Sequence, residues 1–422
     1  MMPLVPTTLV RITRFYLLTA IGYLVLTLAL AVASAGSGSL PAINPNLFWY
    51  AGVLGWVALP VMGAFYQFFP TLQGQDLRME RWTFPQYGLV NLGLLGMLGS
   101  LVAGSRTALG FFTAIYALGV FLLAFILLGR NLTLSKVTLT LRFFVAAVVY
   151  FLAGVTVLTL INLGLAPLGR PLVSHLVLIG WAVMAIFGAQ YIMVPMLQLK
   201  TLAWERLADL QFYVANLGVL GLAWGFLGGG TAVIAAGGAL MFLAAVLFVA
   251  VILRSITTGP SRLAKLDLSV MFYLAGDGYL VLVALLGIAI ALFPLNLRST
   301  HMHLALIGVL TNTIIGAMYH ILPFLVWWET YAGKVGLERV PLLKELFHEP
   351  FARLSFWIWN GSLWVLVAGF LLGLFYLVAL AGVVQLALAA ILLAQMLHLV
   401  ARRNGRQAPQ GSTLNLKASG GA

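Results

Sequence analysis

The chain has no cysteine and very little charge. Without cysteine it can form no disulfide, thiolate metal site, iron–sulfur cluster or covalently attached c-type haem. Only 8% of its side chains are charged and 62% are apolar, whereas about a quarter and about half are usual in soluble domains. These absences exclude a soluble, disulfide-linked or disordered protein and indicate a membrane protein. Any metal or haem must bind through histidine, methionine, tyrosine or carboxylate.

Apolar runs fill most of the 422 residues. A hydrocarbon core about 30 Å thick needs roughly 20 apolar residues for each helical span. The runs fall near residues 12–35, 46–69, 86–104, 108–129, 139–164, 172–197, 210–229, 231–254, 268–294, 301–327, 351–377 and 379–400. The sequence therefore predicts an all-α polytopic membrane protein with twelve transmembrane helices. Tryptophans that flank the spans, such as Trp357 and Trp359, are expected to anchor at the membrane interface.

The net charge of +13 reflects topology. When the 23 Lys and Arg residues are assigned to alternating loops, all but Arg106, Arg170 and Arg298 fall on the side that also holds both termini. By the positive-inside rule, that side is cytoplasmic. The pattern predicts a multi-pass protein of the plasma (inner) membrane with both termini in the cytoplasm. Its basic residues face anionic lipid, so nucleic acid is not an expected partner.

A sequence motif, G-x7-G-A-x-Y-x3-P, occurs three times at offsets of 125 and 128 residues. Each copy lies in the second span of a group of four, so the groups share one orientation. We expect three four-helix repeats, approximately 12–129, 139–254 and 268–400, which form a pseudo-threefold bundle within one membrane domain. A flexible cytoplasmic tail, 401–422, is expected to follow. Small residues such as the motif glycines allow helix backbones to approach closely.

Histidine and arginine vary together between the copies. Five residues before the first motif glycine stand His175 and His303 in the second and third copies, and five residues before these stand Arg170 and Arg298. The first copy has a tyrosine and a proline at these positions. An imidazole can ligate haem iron and a guanidinium can bind a haem propionate. The pairing favours haem, although interfacial histidines and arginines that bind lipid headgroups remain alternatives.

A second histidine, His301, lies two residues before His303. The two side chains are about 200° apart around a helix and cannot serve one iron together. They could serve two haems, or one could ligate iron while the other binds a second group.

The sequence of the tenth span resembles that of a known family. His301-Met302-His303, followed by Tyr319-His320-Ile321-Leu322-Pro323, resembles the tenth helix of the main subunits of haem–copper oxidases. The segment 60–70 is similar to the end of the second helix in nitric oxide reductases, and short oxidase-like proteins share both tenth-span motifs. The resemblance implies twelve helices in three arcs. It also implies that His301 binds an oxygen-reactive haem and His303 a low-spin haem.

Several family features are missing. The second span has no histidine, and the seventh lacks the paired histidines of the copper site. Copper and full oxygen reduction are therefore not expected, although an oxidoreductase activity remains open. Our hypothesis is one non-covalent haem b, held by His175 and either His301 or His303, with Arg170 and Arg298 on its propionates. It would bind or reduce nitric oxide or dioxygen, or pass electrons from a cytochrome or quinol. A small partner subunit could assist.

A candidate proton path lies deeper in the membrane. Asp277 stands about ten residues into the ninth span, near the midplane, where an ionised carboxylate is costly. His320, Tyr319 and Tyr191 could extend this path, or they could serve packing alone. Two other functions therefore remain open on the same bundle: a proton-coupled transporter, or a haem or copper handling protein without turnover.

Overall fold

The computed structural model describes residues 7–36, 44–129, 137–259, 263 and 265–401. Of the expected tail, residues 402–422 lie outside this range. The described chain is built from long helices: α1 Thr7–Gly36, α2 Pro45–Gln73, α3 Thr83–Val102, α4 Arg106–Gly129, α5 Leu139–Asn162, α6 Arg170–Leu197, α7 Glu205–Gly229, α8 Thr231–Thr257, α9 Leu268–Leu292, α10 Arg298–Lys334, α11 Glu349–Leu372 and α12 Phe375–Ala401. The protein is an all-α, multi-pass membrane protein.

Eleven of these helices in the described ranges are long and apolar enough to cross a membrane. The remaining one, α3, has 20 residues and is about 30 Å long, enough to span the hydrocarbon core. It is less apolar because it carries Gln86 and Asn91. Both amides have partners: Tyr66 donates to Gln86 at 2.9 Å, and Asn91 donates to the carbonyl of Tyr87 at 2.9 Å. Internal hydrogen bonds thus satisfy these polar groups within the bundle.

Local sequence signals set several helix ends. Ser105, Thr138 and Asp267 cap α4, α5 and α9 by accepting a backbone N–H with their side-chain oxygens, which compensates for the unpaired amides of a first helical turn. Glycines in the left-handed region close two other helices, Gly74 after α2 at φ 59° and Gly373 after α11 at φ 68°, as is common at helix C-termini.

Each motif helix contains a π-helical segment of eight residues: Tyr50–Val57 in α2, Leu176–Val183 in α6 and Leu304–Thr311 in α10. A π turn takes up about one residue more than an α turn. The two motif glycines, eight positions apart, would be about 80° apart in an unbroken α-helix. Each π segment extends two or three residues beyond the first glycine, which reduces this rotation, and both glycines lie on the face toward the preceding helix.

That face packs on the preceding helix through aromatic side chains. A Cβ at the first motif glycine would lie 2.6–2.9 Å from a tyrosine of the preceding helix, and one at the second would lie 2.5–2.9 Å from a second aromatic residue. The glycine–aromatic pairs are Gly55–Tyr23, Gly180–Tyr150, Gly308–Tyr279, Gly63–Tyr16, Gly188–Phe143 and Gly316–Phe272. The aromatic partners are seven residues apart in α1, α5 and α9, on one helical face. Glycine is required because any side chain would overlap these rings.

The interior is filled mainly by apolar side chains, and a cavity of about 80 Å³ lies between α2, α6 and α10. Trp359 belongs to this interior with 2% of its surface exposed, whereas Trp357 is 66% exposed. The expectation that both tryptophans are interfacial anchors is therefore wrong for Trp359. Residues two apart on a helix point in nearly opposite directions, so only one of the two can face outward.

The glycine contacts predict a large difference between two similar substitutions. Gly180→Ala places a methyl group against the Cβ of Tyr150 and should destabilise the protein by about 1–3 kcal/mol, as overpacking does. Gly278→Ala adds its methyl group where no atom lies within 4 Å and should have little effect. Thermal unfolding in detergent, followed by tryptophan fluorescence, measures both. Equal midpoints for the two variants would contradict the packing argument.

Candidate functional site

Histidines occupy matching places in α6 and α10. His175 ends the short α-helical segment Arg170–His175, His303 ends Arg298–His303, and a π-helical segment follows each directly. Both imidazoles are half-buried. π segments often mark functional sites in helices. The matching positions follow from the shared motif, because each histidine stands five residues before the first motif glycine.

The two imidazoles make the same backbone hydrogen bond. The Nδ1 atom of His175 lies 2.7 Å from the carbonyl oxygen of Pro171, and the Nδ1 atom of His303 lies 2.8 Å from that of Ser299. A carbonyl oxygen can only accept, so Nδ1 must carry the proton. In a neutral ring, Nε2 then has a free lone pair. This is the tautomer of a histidine that ligates a metal through Nε2 while its other nitrogen is held in place.

A phenylalanine from a neighbouring helix packs against each ring. His175 contacts Phe226 of α7 with ring centroids 4.6 Å apart, and His303 contacts Phe370 of α11 at 4.7 Å. The interplanar angles are 40° and 41°. A backbone carbonyl and an aromatic ring therefore fix the orientation of each imidazole in the same way.

His301 points in a different direction from His303. It packs toward α9, where a Cβ at Gly287 would lie 3.1 Å from the Cε1 atom of His301. Its Nδ1 atom is buried without a hydrogen-bond partner, and its ring lies within electrostatic range of His175. His301 thus faces α9 and interacts electrostatically with His175, whereas His303 packs against α11. The expected divergence of the H-x-H pair is present.

The two arginines have different surroundings. Arg170 is half-buried, donates to the side-chain oxygen of Asn46, and lies over the ring of Tyr50 with its guanidinium carbon 5.8 Å from the centroid. The hydroxyl of Tyr50 accepts a hydrogen bond from Asn162 at 2.7 Å. Arg298, by contrast, is exposed. Contacts with α2 hold Arg170 close to the tyrosine that replaces histidine in the first motif copy.

The residues of the candidate proton path lie apart. Asp277 is buried and accepts from Gln190 at 2.9 Å, whereas Tyr191 donates to Gln211 at 3.1 Å and Tyr319 to Gln395 at 3.3 Å. His320 is half-buried and stacks on Phe324 with centroids 6.3 Å apart. Within the described chain, no hydrogen bond joins any two of Asp277, Tyr191, Tyr319 and His320. Hydrogen bonds therefore do not link them into one path.

Sequence reasoning did not single out Gln190, the partner of Asp277. The signal for it was present in the motif comparison. Gln190 stands directly before the motif tyrosine in the second copy, where the other copies have Phe65 and Met318. A single amide among apolar equivalents, inside a membrane span, indicates a polar partner on a neighbouring helix.

No set of protein ligands sufficient for a metal ion forms by itself in the described ranges. Among those residues, no three His, Asp or Glu side chains converge into a group that could hold a metal ion. A metal in this part of the chain would therefore need further ligands from a cofactor such as a porphyrin.

Comparison with known proteins gives a fold and one relative. No family model matches the chain. An uncharacterized protein of Aquifex aeolicus (strain VF5) is 27% identical over 326 residues, which cover 75% of this chain and 79% of that protein. The solved structure of a dimeric haem–copper terminal oxidase matches with a TM-score of 0.68 and 14% identity, over 92% of this chain and 84% of the oxidase chain. The chain thus has the fold of a haem–copper oxidase.

The hydrogen bonds at the histidines predict their tautomers. In cofactor-free protein at a pH where the rings are neutral, His175 and His303 should carry the proton on Nδ1. His348 should carry it on Nε2, because its Nδ1 accepts the backbone N–H of Phe351 at 3.1 Å. Nitrogen-15 NMR of histidine-labelled protein, assigned with single His→Gln variants, distinguishes these forms. Finding the same tautomer at all three sites would contradict the geometry.

Proposed function

We propose that the chain is a haem-b-binding membrane protein of the haem–copper oxidase superfamily that has lost the copper ligands. The observation that carries the proposal is the pair of histidines at matching positions, each with Nδ1 held by a backbone carbonyl and Nε2 free. Structural histidines need no such arrangement, whereas haem ligands use it. The oxidase fold supports the same assignment.

The donor set fits a haem better than a bare metal ion. One or two imidazole nitrogens would suffice as protein ligands of the iron, since the porphyrin would supply the remaining nitrogen donors. We propose that His175 and His301 hold the haem between α6 and α10. The electrostatic interaction between the two rings and the unpartnered Nδ1 atom of His301 support this choice over a pair with His303. His303, with its own free Nε2, is the candidate ligand of a second haem or an alternative ligand of the first.

Arg170 and Arg298 are the proposed partners of the haem propionates. Both stand five residues before a candidate ligand, at the start of α6 and α10. A guanidinium can bind a carboxylate through two parallel N–H donors. Arg170 would exchange its present hydrogen bond to Asn46 for such a contact.

Haem b would supply reversible binding of nitric oxide or dioxygen, or one-electron transfer. The residues of the chain hold and orient this group: Phe226 and Phe370 fix the imidazoles and shield them. Copper chemistry and complete oxygen reduction are not part of the proposal, because α7 places Phe226 beside His175 and carries no histidine.

Electrons would come from a cytochrome or a quinol, with or without a small partner subunit. The proposed location is the plasma membrane, with both termini cytoplasmic.

Haem content tests this function directly. Purified wild-type protein should contain b-type haem by the pyridine haemochrome assay and show a reduced-minus-oxidised spectrum that shifts when nitric oxide is added. We expect His175→Ala and His301→Ala to lose most of this haem, because each removes a proposed ligand. His348→Ala, in the loop before α11, is the control and should retain the wild-type content.

The His303→Ala variant separates the two arrangements of His303. Loss of part of the haem would indicate that His303 binds a second haem. An unchanged haem content would indicate that His175 and His301 are the ligands. Wild-type protein that folds in haem-replete cells but contains no haem would contradict the proposal. Proton-coupled transport, or a scaffold without haem, would then be the better hypothesis.

A further inference from the structure

A buried acid and a buried amide form a pair between α6 and α9. The side chain of Gln190 donates from Nε2 to Oδ1 of Asp277 at 2.9 Å, and the two residues are 1% and 2% exposed. The helices belong to the second and third expected repeats. None of the contacts at the histidines involves this pair.

Each partner keeps a second oxygen that is buried and unbonded. Oδ2 of Asp277 and Oε1 of Gln190 have no hydrogen-bond partner. Both atoms are acceptors if the acid is ionised, so an ionised pair leaves two buried acceptors unsatisfied, one of which carries charge. A single proton on Oδ2 changes that atom into a donor. It can then bond to Oε1 and complete a reciprocal acid–amide pair.

Apart from the single N–H of Gln190, the titratable groups of the described chain that interact with Asp277 offer nothing that would balance a negative charge. The titratable groups that face Asp277 are the phenols of Tyr273 on its own helix and Tyr191 on α6. Neither can supply a positive charge. Another buried carboxylate of the described chain, Glu329, differs in this respect, because Arg14 lies 2.6 Å from it and both side chains are 6% exposed. Glu329 has a cation to balance it, whereas Asp277 has an amide.

We propose that Asp277 is a proton-binding site in the membrane core, kept at neutral pH as a carboxylic acid by its burial and paired with the amide of Gln190. Release of the proton to water leaves a carboxylate, transfers no electron and removes the donor that Asp277 offers to Oε1 of Gln190. The second hydrogen bond between α6 and α9 therefore depends on the proton. Gln190 also borders the cavity between α2, α6 and α10, so its rearrangement would alter the centre of the bundle. This proposal does not rest on haem binding.

Infrared spectroscopy tests the protonation state. Detergent-purified protein at neutral pH should show the C=O stretch of a protonated carboxylic acid, which is separate from the carboxylate bands. Asp277→Asn should abolish this band. Gln190→Leu should keep the band and shift it to higher frequency, because the acid loses its hydrogen bonds. Glu329→Gln, which alters the ion-paired buried carboxylate, should leave it unchanged.

Three results would overturn the proposal: no acid band in wild-type protein, a band that survives in Asp277→Asn, or a band that disappears when sodium chloride replaces a potassium salt. The last result would indicate a sodium ion between the two oxygens. Asp277→Asn retains a side chain of the same shape, and size-exclusion chromatography checks its fold. If that variant does not fold, the frequency shift in Gln190→Leu decides. Haem content measured on the same samples keeps the two proposals distinguishable.

Discussion

The contact between a glycine and an aromatic ring, made six times, determines how this bundle is assembled. Two glycines in each of α2, α6 and α10 pack against two aromatic side chains of the preceding helix. The distances are too short for any residue that has a Cβ. Lipid offers no hydrophobic force that would bring the helices together, so packing and internal hydrogen bonds must do so. Without side chains at these positions the backbones also come close enough for Thr13 and Thr140 to donate to the carbonyls of Gly63 and Gly188.

The π-helical segments are a consequence of the same contact. The aromatic residues of α1, α5 and α9 are seven apart, whereas the glycines that receive them are eight apart. An unbroken α-helix would rotate the second glycine away from its partner by almost a quarter of a turn. The end of each π segment lies between the two glycines and reduces this rotation. In α6 and α10 the π turns also begin directly after His175 and His303, so the feature that aligns the packing face also sets the direction of the candidate ligands.

Much of the fold could be predicted because it depends on the amino-acid composition and on the spacing of the repeated motif. Apolar runs located the helices, and the motif spacing identified three equivalent helices. The divergence of His301 and His303 also followed from helix geometry alone. The partner of a buried polar group could not be predicted in this way. Gln190 and Asp277 are 87 residues apart, and only the packing of α6 against α9 brings them together. Trp359 shows the same limit, since its burial depends on which face of α11 meets the bundle.

Near the start of each motif helix the three copies differ in a histidine and an arginine, and this difference argues for a binding site there. In the first copy, Tyr50 takes the position of the histidine and is bonded by Asn162, so its polar atom is already satisfied. In the other two, the imidazole satisfies Nδ1 with its own helix and leaves Nε2 without a partner from the protein. An imidazole nitrogen left free twice, at matching positions and in the same tautomer, is available to a ligand. If this position served only for packing, a tyrosine, as in the first copy, would fill it equally well. The histidines are therefore better explained by a ligand that only the second and third copies bind.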